Sequence, residues 1–403
     1  MSQKIEIIHQ RNIKCRVYKD SNIRISMTLR ILCTGDFQLD KTFGTLGEHA
    51  KNFRDQLMDT FTKVIQNYGS KHDLILIAGD LFDRNATPTP IIQKAAKILA
   101  SCSTPCLIIP GNHDPVNSGI PVVLQEALSQ LGADHVQVAV KREPVPYPDL
   151  GVTMFPAPLF RKDDISDQWG WIPERTKSQG TRIALMHGAL DSLPGGLIPE
   201  NLASQKDLDL VICGDQHGPS DGDAAASGLF NLETSMKRKL YYAMAPEAQH
   251  INQNFTGSFL SLDIDKNGKV GSCERIEVGE IRFVNETFDF DQEMEDSQSV
   301  LASVLEQTVE RPPELTSIRL HLKGQLRSVA LTTLNQTFDS LKQDWHIIEI
   351  TNQVSEFEPE EAVADDNPLV AKISQVVDGD SSISSEMKTK ITELLKLNFG
   401  RWQ

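Results

Sequence analysis

Apolar residues in this chain recur in two alternating patterns. Short continuous runs at 31–34, 74–78, 106–109, 182–186 and 209–213 are too short for helices and read as strands buried on both faces. Between the first three lie segments with helical spacing. One carries Phe53, Leu57, Phe61, Val64, Ile65 and Tyr68; the other, opened by Pro88 and Pro90, carries Ile91, Ile92, Ala95, Ile98 and Leu99. This alternation predicts an α/β domain. A less regular, proline-rich stretch follows (Pro144, Pro146, Pro148, Pro156, Pro158). Residues 219–228 are small and polar and read as a loop, and 240–284 read as two or three antiparallel strands with Asp265-Lys266-Asn267-Gly268 as a hairpin turn.

A segment at 286–296, rich in Asp and Glu and free of Lys and Arg, marks a boundary. Beyond it the pattern gives a helix around 300–309, a strand alternating through Ile318, Leu320 and Leu322, a helix near 329–341 and a strand at 346–350, together a small α+β module. A second acidic linker at 356–366 precedes a helix with Met387, Ile391, Leu394 and Leu395 on one face. The reading is therefore an extension at 1–26, a main domain at 27–284, a second domain at 297–354, and a linker with terminal helices at 355–403. The extension is basic (Lys4, Arg11, Lys14, Arg16, Lys19, Arg24), either an ordinary segment ahead of Met27 or an arm for nucleic acid.

Composition narrows the function. Among the 403 residues no apolar run reaches the length of a membrane span, and the N-terminus lacks a signal-peptide core, which reads as an intracellular, cytoplasmic protein. Six cysteines form no CxxC pair and read as packing residues. The net charge of −15 argues against gripping nucleic acid by bulk electrostatics. A DNA substrate would need bound metals, local basic patches or a partner to supply positive field.

Five strand ends carry the candidate chemistry: Gly35-Asp36-Phe37-Gln38, Gly79-Asp80, Gly111-Asn112-His113-Asp114, His187-Gly188 and Gly214-Asp215-Gln216-His217. A single Asp after a strand is ordinarily a cap or turn residue. Five polar blocks at carboxyl ends, where α/β sheets place their ligands, make a different case. Their mixture of oxygen and imidazole donors suits two divalent metals, Mn²⁺ first.

The order of these blocks resembles the calcineurin-like metallophosphoesterases. Residues 76–83 and 108–114 look like the branch of SbcD-type nucleases of DNA double-strand-break processing, and the strand Arg319-Leu320-His321-Leu322-Lys323-Gly324 is similar to the capping domain of those nucleases. The resemblance implies a four-layer α-β-β-α sandwich with a C-terminal α+β cap. It implies that Asp80 bridges two divalent ions, that Asp36, Gln38 and His217 complete one site, and that Asn112, His187 and Asp215 complete the other. His113 would act on the scissile phosphate without ligating metal. It further implies a nucleoid-associated DNA nuclease, a homodimer through the helices near 53–68 and 91–99, and a partner resembling the SbcC coiled-coil ATPase. The helix around 387–395 has the form of a docking element for that partner, or of a helix folded on its own domain.

Two positions depart from the family pattern. Gln38 and Asp215 stand where histidines are usual. An amide is a weaker ligand and a carboxylate a harder one, so selectivity should lean from Zn²⁺ toward Mn²⁺ or Mg²⁺. The competing readings are a phosphoesterase for a small substrate such as a nucleotide, and a catalytically weakened subunit that binds DNA or the ATPase. Trp169-Gly170-Trp171, Lys237-Arg238-Lys239 and Arg161-Lys162 read as loop packing and solvated surface, with base stacking and phosphate contact as the alternatives.

Overall fold

Strand β1 (Thr28–Thr34) lies parallel to β2 (Leu74–Ala78), which lies parallel to β3 (Cys106–Ile109), and β3 to β4 (Val136–Val138). The register pairs Thr34 with Ile77 and Ala78 with Ile109, so the carboxyl ends of the three long strands come out side by side. A computed structural model describes residues 28–176, 180–219, 229–290, 312–326, 332, 336, 346–356, 368–379, 383–385, 387–391 and 394. The 1–26 extension, the 220–228 loop, the 300–309 helix, most of the 329–341 helix and Leu395 lie outside the described residues.

Two more strands complete this first sheet after a long excursion. The hairpin β10 (Ser258–Asp265) and β11 (Val270–Glu277), closed by the turn read from the sequence, adds antiparallel to β1 and gives the order β11-β10-β1-β2-β3-β4. The second sheet has the order β5-β6-β7-β8-β9, from β5 (Val145–Tyr147), β6 (Val152–Pro156), β7 (Thr181–His187), β8 (Leu210–Gly214) and β9 (Leu240–Tyr242). Here the sequence reading needs correction. β9 is not part of an antiparallel set but pairs parallel with β8. The cause is the connection, since a chain that returns through a helix enters in the same direction, whereas antiparallel neighbours need only a short turn.

Alternation along the first sheet divides its side chains between two cores. Ile31, Cys33, Leu74, Leu76, Ala78, Leu107 and Ile109 pack into one core with the second sheet. Leu32, Ile75, Ile77, Cys106 and Ile108 pack into another, beneath the helices α1 (Ala50–Thr62), α2 (Thr89–Ala100) and α3 (Ile120–Gln130). That two-sided burial is why these strands read as unbroken apolar runs. On the second sheet, the short helices α4 (Leu202–Gln205) and α5 (Leu232–Arg238) lie against β8 and β9. The observed fold is thus the α/β sandwich that the sequence predicts. α3 and β4 to β6 fall in the stretch that read as irregular.

The described chain divides into two compact units, the larger holding both of these sheets. Strands β12 (Arg282–Phe290), β13 (Thr316–Leu326) and β14 (His346–Glu356) form a separate three-stranded sheet. Ile318, Leu320 and Leu322 are all buried, as their alternation predicts. A helix, α6, spans Pro368–Gly379.

Candidate metal centre

The chain leaves β1, β2 and β8 through backbone that side chains rarely adopt. Asp36, Gln38, Asp80 and Asp215 all have positive φ, at 51°, 46°, 50° and 93°. Such conformations persist only where the surroundings hold them, and they concentrate at functional sites. The loop after β1 runs beside the loop after β2: the N–H groups of Asp36, Gln38 and Leu39 donate to the carbonyls of Gly79, Asp80 and Leu81, each at 3.0 Å. Asp114 ties in the loop after β3 by accepting from Gly111 N at 2.8 Å and Phe82 N at 3.0 Å. Neither Gly79 nor Gly111 has room for a side chain. A Cβ on Gly111 would sit 2.1 Å from Asp80 Oδ1, and one on Gly79 would sit 2.2 Å from His187 Nδ1.

These loops gather the sequence candidates at one place. Asp36, Asp80 and His187 are buried, and one ligand atom from each lies within 4.8 Å of the others. His187 Nε2 is the meeting point, 2.8 Å from Asn112 Oδ1, 3.5 Å from Asp80 Oδ2 and 3.9 Å from Asp215 Oδ1. Donors around a divalent ion bound at about 2.1 Å lie roughly 3 Å apart, so this spacing fits one. His187 Nδ1 lies 2.7 Å from the Ala78 carbonyl. A carbonyl only accepts, so Nδ1 carries a proton and Nε2 is the nitrogen free to ligate.

Electrostatics also call for a cation here. Burial works against charge on His187, yet Asp80, Asp36 and Asp215 together raise its pKa well above the ordinary histidine range. Burial raises Asp36 well above its usual range; His187 opposes the rise, and Asp80 and Asp215 add to it. Burial presses Asp80 upward too, but His187 and His113 more than offset it and leave its pKa lowered. The cluster holds a proton among crowded carboxylates, and metal binding ordinarily displaces protons of this kind.

His113 stands beside the cluster, half-buried. Its N–H donates to Asp80 Oδ1 at 2.9 Å, and its Nε2 lies 4.0 Å from Asp80 Oδ2. On the far side its Nδ1 lies 3.3 Å from Asp83 Oδ1. The bond to Asp83 raises its pKa to about 9; burial opposes the rise and Asp80 supports it. Asp83 is itself placed by Asp40, which accepts from Asp83 N at 2.6 Å, Arg84 Nε at 2.9 Å and Thr87 Oγ at 3.0 Å.

Gln38 and His217 lie differently. The amide oxygen of Gln38 accepts from Lys41 Nζ at 2.7 Å, and the same ammonium lies 3.2 Å from Asp83 Oδ1. His217 Nε2 is 3.8 Å from Asp36 Oδ1, and its Nδ1 is 3.0 Å from Gln253 Nε2. Burial lowers His217 to about 4; Asp80 opposes this, and Lys41 and His187 reinforce it. Sequence reasoning assigned no role to Lys41, Asp83 or Gln253. Asp83 was accessible, three residues after Asp80 in the same block.

Other singled-out residues lie elsewhere. Trp169 and Trp171 pack against the inter-sheet core, and Trp171 Nε1 donates to the Gln168 carbonyl at 2.9 Å. Lys237 pairs with Glu233 and Arg238 with Glu200, while Arg161 and Lys162 are exposed. His72 is a packed residue, its nitrogens 2.8 Å from the Tyr68 carbonyl and 2.9 Å from Ser261 Oγ. Cys33, Cys102, Cys106 and Cys213 are buried free thiols. Among the described residues no helix is long and apolar enough to cross a membrane.

Residues 29–219 match the family model of the calcineurin-like phosphoesterases. That segment carries Asp36, Asp80, Asn112, His113, His187, Asp215 and His217 and is similar to the calcineurin-like phosphoesterases, hydrolases acting on phosphoester bonds. Among solved structures, TT1561 of Thermus thermophilus is similar at 14% identity, over 62% of this chain and 99% of that chain, with a TM-score of 0.37. An archaeal phosphodiesterase is similar at 13% identity, over 62% and 99%, with a TM-score of 0.29. A search of curated proteins found no match.

Proposed function

We propose that this chain is a divalent-metal-dependent phosphodiesterase acting on DNA, a nuclease subunit of the SbcD type. The observation that carries the phosphodiesterase reading is the convergence of Asp80, Asn112 and Asp215 on His187 Nε2, with the His113–Asp83 pair beside it. The DNA reading draws support from the resemblance of residues 76–83 and 108–114 to that nuclease branch, and from the additional C-terminal unit. Mn²⁺ suits the donors, which are mainly oxygen. The homodimer and the SbcC-like ATPase belong to the same proposal.

Asp80, Asn112, His187 and Asp215 would hold the cation. When bound, it supplies Lewis-acid polarisation of a phosphoryl oxygen and lowers the pKa of water. The chain's own residues do the rest. His113, protonated at neutral pH, offers its charge and its Nε2 proton to a phosphoryl or leaving oxygen. Asp83 fixes that ring from behind, and Asp80 anchors the His113 main chain.

The net charge of −15 favours a second reading, a small phosphoester or nucleotide as substrate, because no bulk positive field draws in a polyanion. Turnover of linear duplex DNA against bis-p-nitrophenyl phosphate, both in Mn²⁺, separates the two. The nuclease reading predicts metal-dependent cutting of DNA. Turnover of the small ester alone would give the second reading, and turnover of neither would leave a binding subunit.

A further inference from the structure

The two histidines of the centre have different neighbours at Nδ1. His187 Nδ1 faces the Ala78 carbonyl at 2.7 Å, which turns its Nε2 toward Asn112, Asp80 and Asp215. For His217 the neighbour is Gln253. The Gln253 amide oxygen accepts from Gln249 N at 2.7 Å, so its orientation is fixed by a main-chain donor. Its NH₂ group therefore points at His217 Nδ1, 3.0 Å away, and that nitrogen is the acceptor. His217 Nε2 faces Asp36 Oδ1 at 3.8 Å, and the Nδ1–H···O=C bond that orients His187 as a ligand has no counterpart at His217, whose Nδ1 meets an amide NH₂.

Gln38 adds an independent observation. Its side chain stands where the resemblance calls for an imidazole ligand, but its amide oxygen is taken by the Lys41 ammonium at 2.7 Å. A tight turn, with Lys41 N donating to the Gln38 carbonyl at 2.9 Å, brings the two residues together. The ammonium is further held by Asp83 at 3.2 Å, and the Lys41 side chain is 22% exposed. A divalent ion on the same oxygen would face a full positive charge across one hydrogen bond. With its amide oxygen on Lys41, Gln38 does not fit a second metal on this side.

We propose that the centre holds one divalent cation, caged by Asp80, Asn112, His187 and Asp215, and that the Lys41 ammonium stands in for a second at Gln38 and His217. The inference rests on the reading of the site as a metallophosphoesterase centre. It makes Lys41 a cation at the edge of the site, sharing Asp83 with His113.

The test is metal stoichiometry, not activity. The full chain is reconstituted with Mn²⁺, desalted, and measured by elemental mass spectrometry and electron paramagnetic resonance. The proposal predicts one equivalent with the spectrum of an isolated Mn²⁺, and the same for Lys41→Arg, which keeps the charge. The double variant Lys41→Met with Gln38→His should take up a second equivalent and show spin coupling. Should it fail to fold, Lys41→Met alone, which frees the Gln38 amide, should show measurable second-site binding. Two coupled equivalents in the unaltered chain would overturn the proposal while leaving the metallophosphoesterase reading intact. No bound metal would remove both. A variant that folds without Lys41 and stays at one equivalent would refute the role given to Lys41.

Discussion

Two acceptors of one residue hold a single ring: His113 Nδ1 lies 2.9 Å from the carbonyl oxygen of Asp83 and 3.3 Å from its carboxylate. The bond to that carboxylate is the largest cause of the raised His113 pKa, at about 9. In Asp83→Asn the metal-free protein should show this pKa lowered toward the ordinary histidine value of about 6.5. A histidine-resolved NMR titration checks it. An unchanged pKa would mean that Asp80 and the carbonyl of residue 83 sustain the charge without the carboxylate.

Replacing His113 itself isolates its chemical contribution. His113→Asn should lower kcat by roughly 10²–10⁴-fold, the usual range for a general acid or transition-state donor. Metal content should be unchanged, since Asp80, Asn112, His187 and Asp215 all remain. Loss of metal along with activity would instead make His113 part of the cage.

The close approach at Gly111 gives a third prediction. Alanine there would put Cβ 2.1 Å from Asp80 Oδ1 and 2.7 Å from Asp80 N, so the carboxylate and its main chain must both shift. Gly111→Ala should weaken metal binding by at least about tenfold, comparable to losing a ligand-orienting contact. It should also cost about 1–3 kcal/mol of stability from overpacking. Calorimetric metal titration and chemical denaturation separate the two effects.

Glu247 makes the fold sensitive to pH away from the metal cage. Burial raises its pKa to about 7, while hydrogen bonds from Thr60, Glu280 N, Ile281 N and Gln56 pull the other way. The unfolded chain titrates this group near 4.5. Between these values the native state binds the proton more tightly, so stability falls as pH rises through the window. The loss is on the order of 3 kcal/mol and complete above the folded pKa. Denaturation midpoints from about pH 5 to about pH 8 should show this decline in the unaltered chain and a flatter profile in Glu247→Gln. A flat profile in both would remove Glu247 as the cause.

The parts of this protein legible in its sequence are those governed by short-range pattern. β2 and β3 face two cores and so appear as apolar runs of strand length, and the Asp265–Gly268 turn declares its own hairpin. Asp36, Asp80, Asn112, His113, His187 and Asp215 were visible because each ends or follows a strand. α3 was hidden although Gly119 and Pro121 mark its start, because the exposed apolar Val122 and Val123 blur its amphipathic face. β9 misled because direction belongs to the connection, not to the strand. Lys41 and Gln253 left no motif. Lys41 matters only because the backbone turns back at Gln38, and Gln253 only because Gln249 N fixes its amide across from a histidine 36 residues away in sequence.

The central claim is that Asp80 and its neighbours make a metal-dependent phosphodiesterase. Cleavage of an end-labelled linear duplex by the purified chain, with Mn²⁺ and with chelator, beside Asp80→Asn, tests it most directly. The account predicts cutting that requires Mn²⁺ and is lost in Asp80→Asn while the variant still folds. Cutting that persists in chelator or in folded Asp80→Asn would contradict it.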